Sequence, residues 1–228
     1  MDSLHQQVVM ITGAGSGLGR ETAFLFAAEG ARVAICDRDE ASIKAVGQAL
    51  QEEQREVLAV TSDVSQEEQV AAFVDQVLNL YGRIDILINN AAVFEYCHIV
   101  DLPLDSWLYH FQNNATSAFL MSRAVVPLMR KQKKGLIINL TSGLAQTGAA
   151  GFGAYSASKA AVEMLTYSLD EEESKHNIKV LAFDPGVMRT GMQGVGEDPA
   201  VVAPKLLTLV QRAAQFDSSR VVRIEQVS

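Results

Sequence analysis

The sequence has little cysteine, no surplus of positive charge and no long apolar run, and each shortage removes a class of function. Two cysteines, Cys36 and Cys97, in 228 residues are too few for a chain of this size built on disulfide bonds. Cys36 lies inside an apolar run and reads as core filling, while Cys97 lies in a loop expected to border the functional site. Acidic residues outnumber basic ones, 27 to 19, for a formal net charge of −8. Phosphate-backbone recognition wants a basic face, so no nucleic-acid partner is expected. The one basic run, Arg130 to Lys134, reads as a helix end, where cations meet the negative end of the helix dipole. No apolar stretch approaches the roughly 18 residues of a membrane span, and the first apolar run starts within a few residues of Met1. Neither a signal peptide nor a membrane partner is therefore expected, and a cytoplasmic protein is the default. The histidines, His5, His98, His110 and His176, lack metal-ligand spacing and join no cysteine cluster, so no metal is expected.

Short β-branched runs alternate with longer amphipathic stretches. Strands are expected at Val8–Thr12, Arg32–Cys36, Val57–Thr61, Ile84–Asn89, Leu136–Leu140, Lys179–Phe183 and Arg220–Ile224. Helices are expected at Leu18–Glu29, Glu40–Glu53, Gln66–Tyr81, Leu104–Lys133, Tyr155–Lys175 and Ala200–Gln215. Most strands are continuously apolar instead of alternating, as when helices cover both faces of a sheet. Strand–helix–strand alternation with crossovers of this length predicts an α/β fold, a doubly wound and mainly parallel seven-stranded sheet. With no Pro/Ser-rich linker, repeat or low-complexity tract, residues 1–228 are expected to form a single domain.

Such sheets bind ligands at the carboxyl ends of their strands, and the residues there are strongly non-random. After the first strand comes Thr12-Gly13-Ala14-Gly15-Ser16-Gly17-Leu18-Gly19, which opens directly into a helix. Glycines there permit a tight turn and a close backbone approach to a pyrophosphate at the helix N-terminus. No Gly-Lys-Ser/Thr ends the loop, so it is not a P-loop. The second strand leads into Asp37, 24 residues beyond Gly13. A carboxylate there can accept both adenosine ribose hydroxyls and repel a 2′-phosphate, favouring NAD over NADP. Arg38 could instead pair with that phosphate, and Asp37 also suits a helix cap before Asp39-Glu40. The third strand ends near Asp63-Val64 and the fourth at Asn89-Asn90-Ala91-Ala92. Asp63 could accept from the adenine amine; an Asn could equally stitch neighbouring strand ends together.

At this point the pattern resembles the short-chain dehydrogenase/reductase family, from about Val8 to Met192. The family's glycine motif is matched by Thr12, Gly13, Gly17 and Gly19. Its Asn-Asn-Ala-Gly motif appears as Asn89-Asn90-Ala91-Ala92, with alanine for the last glycine. Asn114 stands where the family places its active-site asparagine, with Asn113 as the alternative one residue earlier. Ser142 and Tyr155-Ser156-Ala157-Ser158-Lys159 keep the family's Ser-to-Tyr spacing, and Pro185-Gly186-Val187-Met188-Arg189-Thr190 matches the Pro-Gly motif that borders the nicotinamide. The resemblance implies a Rossmann-type fold with Asn114, Ser142, Tyr155 and Lys159 as catalytic residues. It implies cofactor contacts from Gly13, Ser16, Gly17, Leu18, Gly19, Asp37, Arg38, Asp63, Val64, Asn90 and Ala91. Tyr155, Lys159, Pro185, Gly186, Val187 and Thr190 complete that set. Two features depart from the family: a short substrate loop near residues 187–198, and no Asp-Gly-Gly after the last strand.

Tyr155 and Lys159 are four apart on an expected helix and so share one face. A phenol near pKa 10 is a poor base, and a neighbouring ammonium would lower that value. In the mechanism this implies, Tyr155 removes the alcohol proton as hydride leaves the carbinol carbon, and reduction runs in reverse. Ser142 would orient the substrate oxygen, and the family resemblance implies that Asn114 supports a water joining Lys159 to solvent. Pocket walls are expected from residues 94–98, 144–152 and 187–194, where Phe94, Tyr96, Leu144, Phe152, Met188 and Met192 favour an apolar or aromatic alcohol or ketone. The leading expectation is an NAD-linked secondary-alcohol dehydrogenase. The alternatives are an NADPH-dependent carbonyl or 3-oxoacyl reductase and a non-catalytic, dinucleotide-binding redox sensor. Family members pair through the helices represented here by Leu104–Lys133 and Tyr155–Lys175, so a homodimer or homotetramer is expected.

Overall fold

The computed structural model describes residues 4–189, 191 and 194–227. The expected cofactor contact Thr190 and the expected wall residue Met192 lie outside the described residues. Seven strands form one parallel sheet: β1 (Val8–Thr12), β2 (Arg32–Asp37), β3 (Val57–Thr61), β4 (Ile86–Asn89), β5 (Gly135–Leu140), β6 (Ile178–Asp184) and β7 (Val222–Arg223). Their order is β3-β2-β1-β4-β5-β6-β7. The chain winds outward from β1 through β2 to β3, then returns to the other side of β1 with β4. That reversal leaves a crevice at the carboxyl ends of β1 and β4, where ligands of doubly wound sheets bind.

Alternate side chains explain why the strands read as continuous apolar runs. Val9 and Ile11 of β1 join a core under α1 (Gly17–Ala28), α2 (Glu40–Glu52) and α8 (Pro199–Gln211). Val8 and Met10 point the other way, into a core under α3 (Glu67–Tyr81) and α5 (Ser117–Gln132). Phe26 of α1 and Phe73 of α3 are fully buried in the two layers. Either truncated to alanine is expected to cost about 3–5 kcal/mol. Among the described residues, no helix is long and apolar enough to cross a membrane.

The expected boundaries fail in instructive places. The expected helix Leu104–Lys133 is α4 (Leu104–His110), a π-helical stretch over Phe111–Thr116, and then α5. β4 starts at Ile86 because Asp85 turns its carboxylate inward to accept from the Val8 N–H at 2.9 Å. Strand β7 has two residues instead of five, because Ile224–Gln226 tightens into a 3-10 turn. Helix α8 stops at Gln211, and the following residues Ala213–Gln215 form another 3-10 turn. A short helix α6 (Leu144–Thr147) was not expected; α7 (Gly153–Glu173) begins two residues before Tyr155.

Candidate active site

The glycine loop is shaped by what would not fit. Gly13 adopts φ +64°, and a methyl there would lie 2.8 Å from Ala91 Cα. A methyl on Gly19 would lie 2.3 Å from the Gly13 carbonyl oxygen and 2.6 Å from Asn90 Nδ2. The loop and the start of α1 are thus locked against the end of β4. Ser16 occupies the N-cap position of α1 without a side-chain cap bond, which leaves first-turn amides for an anion. Gly13, Ser16, Gly17 and Leu18 line the floor of a cleft of about 640 Å³. A loop of this form, open onto such a cleft, fits a dinucleotide pyrophosphate.

Asp37 is not the cap of α2. That role belongs to Asp39, which accepts from the Ser42 N–H at 2.7 Å. Asp37 instead accepts from the Gly15 N–H at 2.9 Å and the Asp39 N–H at 3.0 Å, and it lines the cleft. A carboxylate offers about four acceptor positions, so two remain for ribose hydroxyls. Arg38 also lines the cleft but is drawn toward α4, donating to the Tyr109 hydroxyl at 2.8 Å and to Asn113 Oδ1 at 3.4 Å. Asp63 accepts from the Ser65 N–H at 2.9 Å and, with buried Val64, lines the cleft.

Asn90 proves to be the stitch that its alternative reading allowed. Its Nδ2 donates to the Thr12 and Gly13 carbonyls at 2.9 and 3.0 Å. The Asn90 and Ala91 amides donate to Thr12 Oγ1 at 3.1 and 3.0 Å. Thr12, read in the sequence only as part of the glycine motif, therefore ties β1 to β4 at the crevice. Beneath it, Asn89 Nδ2 donates to Asn139 Oδ1 at 2.7 Å, and Asn139 Nδ2 donates to Thr166 Oγ1 at 2.9 Å. This buried chain fixes α7 against the sheet.

Ser142 follows β5, and its Oγ accepts from the Leu144 N–H at 3.3 Å at the start of α6. Tyr155 and Lys159 lie on α7, and all three line the cleft that carries the glycine loop. Lys159 is 3% exposed, and its Nζ donates to the Leu140 carbonyl at 2.8 Å. It lies 5.9 Å from the centre of the Tyr155 ring. Burial pushes this lysine down to about 8. The expected lowering of the phenol by Lys159 does not occur in this state. Burial raises Tyr155 above the ordinary phenol value, the Ser142 hydroxyl draws it partly back, and the negative charge of Asp184 raises it further.

The structure also separates the two asparagines. Asn114, 2% exposed, sits in the π-helical stretch. It accepts from the Val93 N–H at 2.7 Å and donates to the Val93 carbonyl at 3.0 Å and Ser158 Oγ at 2.9 Å. It joins the exit of β4 to the residue before Lys159. Asn113 lines the cleft and donates to the Tyr109 carbonyl at 2.8 Å.

The outer cleft is walled by rings. Phe94 stacks on Phe152 at 5.0 Å between centroids and meets Tyr155 edge-on at 4.9 Å. Leu144, Val187 and Met188 add apolar surface, and Pro185 and Gly186 complete the wall after β6. Tyr96 and His98, expected in the wall, are not among the cleft-lining residues. Tyr96 packs edge-on against Phe152, and its hydroxyl lies 3.2 Å from His98 Nε2. Cys97 donates its N–H to the Gly151 carbonyl at 2.8 Å, fastening the two wall loops together. The short loop after β6 closes on itself, Glu197 N–H to the Val187 carbonyl at 2.8 Å and Arg189 N–H to the Glu197 carbonyl at 2.8 Å. Val187, in the wall, stays 59% exposed. Sequence reasoning missed Asp184, a carboxylate in this wall. Its signal was a carboxylate closing the apolar run of residues 180–183, directly before Pro185-Gly186.

The family profile described as short chain dehydrogenase matches residues 7–199. An uncharacterized oxidoreductase of Bacillus subtilis is 39% identical over 82% of this chain and 73% of its own length. A cyclopentanol dehydrogenase of Comamonas sp. is 34% identical over 94% of this chain and 87% of its own. The crystal structure of a 3-ketoacyl-(acyl-carrier-protein) reductase from Brucella melitensis, complexed with NADH, is similar at a TM-score of 0.90 and 27% identity. That similarity covers 99% of this chain and 100% of the other.

Proposed function

The chain belongs to the short-chain dehydrogenase family of nicotinamide-dependent oxidoreductases, and we propose that it is an NAD-linked dehydrogenase for a secondary alcohol and its ketone. The observation that carries this reading is the meeting of Ser142, Tyr155 and Lys159 in one cleft with the glycine loop and Asp37. A bound nicotinamide supplies the hydride acceptor or donor. Gly13, Ser16, Gly17, Leu18 and Gly19 hold the pyrophosphate through loop and helix amides, and Asn90 and Ala91 keep that loop in place. Asp37 accepts the adenosine ribose hydroxyls and repels a 2′-phosphate. Asp63 and Val64 border the adenine. Pro185, Gly186 and Val187 border the nicotinamide, with Thr190 assigned the same role from its motif.

Ser142 donates to the substrate oxygen and fixes its direction. Tyr155 exchanges its phenolic proton with that oxygen, as acid in reduction and as base in oxidation. Lys159, protonated below about pH 8, donates to the nicotinamide ribose and favours the phenolate electrostatically once substrate excludes water. Asn114 is a positioning residue that holds the segment beside Lys159 through Val93 and Ser158. The apolar wall of Phe94, Phe152, Leu144 and Met188 suits an alicyclic or aromatic substrate. The exposed Val187 in the cleft wall favours a carrier-attached 3-oxoacyl group as the second reading. We also infer self-association through α4, α5 and α7, on which Leu108, Phe119 and Met164 are exposed.

Titration with NADH and NADPH, followed by the fluorescence of the reduced nicotinamide, tests the cofactor assignment. NADH is expected to bind at least about tenfold tighter, or about 1.4 kcal/mol. Tighter NADPH binding would mean that Arg38 overrides Asp37 and would favour the carbonyl-reductase reading.

A further inference from the structure

Asp184 is the last residue of β6, 8% exposed, and lines the cleft. One of its carboxylate oxygens, Oδ1, accepts from the Gly186 N–H at 3.0 Å. Among the described residues that is its only hydrogen bond. Its other oxygen, Oδ2, lies 3.4 Å from where a methyl on Gly143 would stand, beside Ser142. Asp184, Gly143, Ser142 and Tyr155 line the same cleft, and the carboxylate charge raises the Tyr155 phenol.

The cations nearby in sequence or in the site are committed elsewhere. Lys159 Nζ donates to the Leu140 carbonyl, Arg189 pairs with Asp198 at 3.5 Å, and Arg223 donates to Gln146 Oε1 at 2.8 Å. The remaining wall is largely Phe94, Phe152, Leu144 and Met188. A carboxylate oxygen in such surroundings is tolerable while water reaches it, but a substrate that fills the cleft removes that water. A plain hydrocarbon ketone would then leave a charged acceptor without a donor, whereas a substrate with its own donor would satisfy it.

Building on the dehydrogenase reading above, we propose that Asp184 is a specificity residue selecting substrates with a hydroxyl or amino group beside the reacting carbon. The substrate class is then a hydroxy or amino ketone and the corresponding diol or amino alcohol. A site that hydrogen-bonds a substrate donor rejects the analogue lacking it far more strongly than an apolar pocket rejects a missing methylene.

The test compares trans-cyclohexane-1,2-diol with cyclohexanol as substrates for the wild type, Asp184→Leu and Asp184→Asn, all with NAD. The readout is the ratio of kcat/KM for diol over monoalcohol. Both alcohols use the same Tyr155, so any effect of the lost charge on that phenol cancels in the ratio. The wild type is expected to favour the diol by about tenfold or more, Asp184→Leu to lose that preference, and Asp184→Asn to keep part of it. NADH titration shows that each variant is folded. As a readout without turnover, 2-hydroxycyclohexanone should bind the NADH complex of Tyr155→Phe more tightly than cyclohexanone does, and lose that advantage when Asp184→Leu is added. A wild type that oxidises both alcohols at a ratio near one, unchanged in Asp184→Leu, overturns this inference and leaves the dehydrogenase reading standing. If Asp184→Leu weakens NADH binding and leaves the ratio intact, Asp184 serves the cofactor and the inference is again overturned. Binding of NADH without oxidation of any alcohol overturns both.

Discussion

Replacing Lys159 by methionine should make the cofactor-free protein more stable at neutral pH while removing its function. The side chain is buried, and its Nζ donates to the Leu140 carbonyl at 2.8 Å. Burial lowers its pKa from 10.5 to about 8. Below pH 8 the folded protein must carry an ammonium that the unfolded chain holds more easily, so the penalty is full there and fades as pH rises toward 10.5. A difference of about 2.5 units corresponds to about 3.4 kcal/mol at pH 7. The linkage relation leaves about 0.8 kcal/mol of it at pH 10. Methionine keeps the length and removes the charge, but it orphans the Leu140 carbonyl at about 1–3 kcal/mol. Lys159→Met should therefore gain about 0.5–2.5 kcal/mol at pH 7 and be less stable than the wild type at pH 10. The swing between the two pH values is about 2.5 kcal/mol, or about 5–10 °C in the relative Tm of a chain this size. Thermal unfolding of both proteins at the two pH values, without cofactor, measures it. A Tm difference that does not change with pH would refute the reasoning, because nothing else removed by the substitution titrates in that window.

Gly19→Ala should raise the NADH dissociation constant by about tenfold or more, a loss of about 1.4 kcal/mol in binding, since the added methyl forces the Gly13 carbonyl and Asn90 apart; fluorescence titration reads it. Asn114→Leu leaves both backbone polar groups of Val93 without their Asn114 partner and removes the donor to the Ser158 hydroxyl, which still donates to the Tyr155 carbonyl. Denaturant unfolding should show a loss of about 2–4 kcal/mol, and turnover should fall with it. Asp184→Asn removes a negative charge that raises Tyr155. Oxidation needs the phenolate, so the rising limb of its pH–rate profile should move to lower pH; movement to higher pH, or none, contradicts the electrostatic effect of Asp184 on Tyr155.

Much of the glycine-loop side of the cleft was legible in the sequence, because that side is built from strand ends. Gly13 directly follows β1, Asp37 ends β2 and Asn90 directly follows β4, and in a parallel sheet residues at such strand ends emerge at the ligand edge. Tyr155 and Lys159 were legible for a similar reason, since helical spacing alone puts them on one face. Three things were not legible. The π-helical stretch at Phe111–Thr116 has no distinctive composition, and from it the Asn114 side chain bonds Val93 and Ser158. The order of Asn113 and Asn114 depends on that stretch and on no local signal. Asp184 and Lys159 show the remaining gap: whether a charge is stabilised or strained depends on what surrounds it, and their surroundings come from β5, β6 and α7 together. At the C-terminus, a β-branched run at residues 220–224 suggested a full strand, but the local turn at Ile224–Gln226 prevailed over strand propensity.

The central claim is that Tyr155 moves the proton while the rest of the cleft binds and orients. The most direct test is Tyr155→Phe, measured for NADH binding by fluorescence and for turnover of a secondary alcohol that the wild type oxidises. The account predicts NADH affinity within about twofold of the wild type, about 0.4 kcal/mol, and turnover lower by about 10²–10⁴-fold. Turnover within tenfold of the wild type, at about 1.4 kcal/mol or less of lost transition-state stabilisation, would contradict it and move the proton transfer to another group.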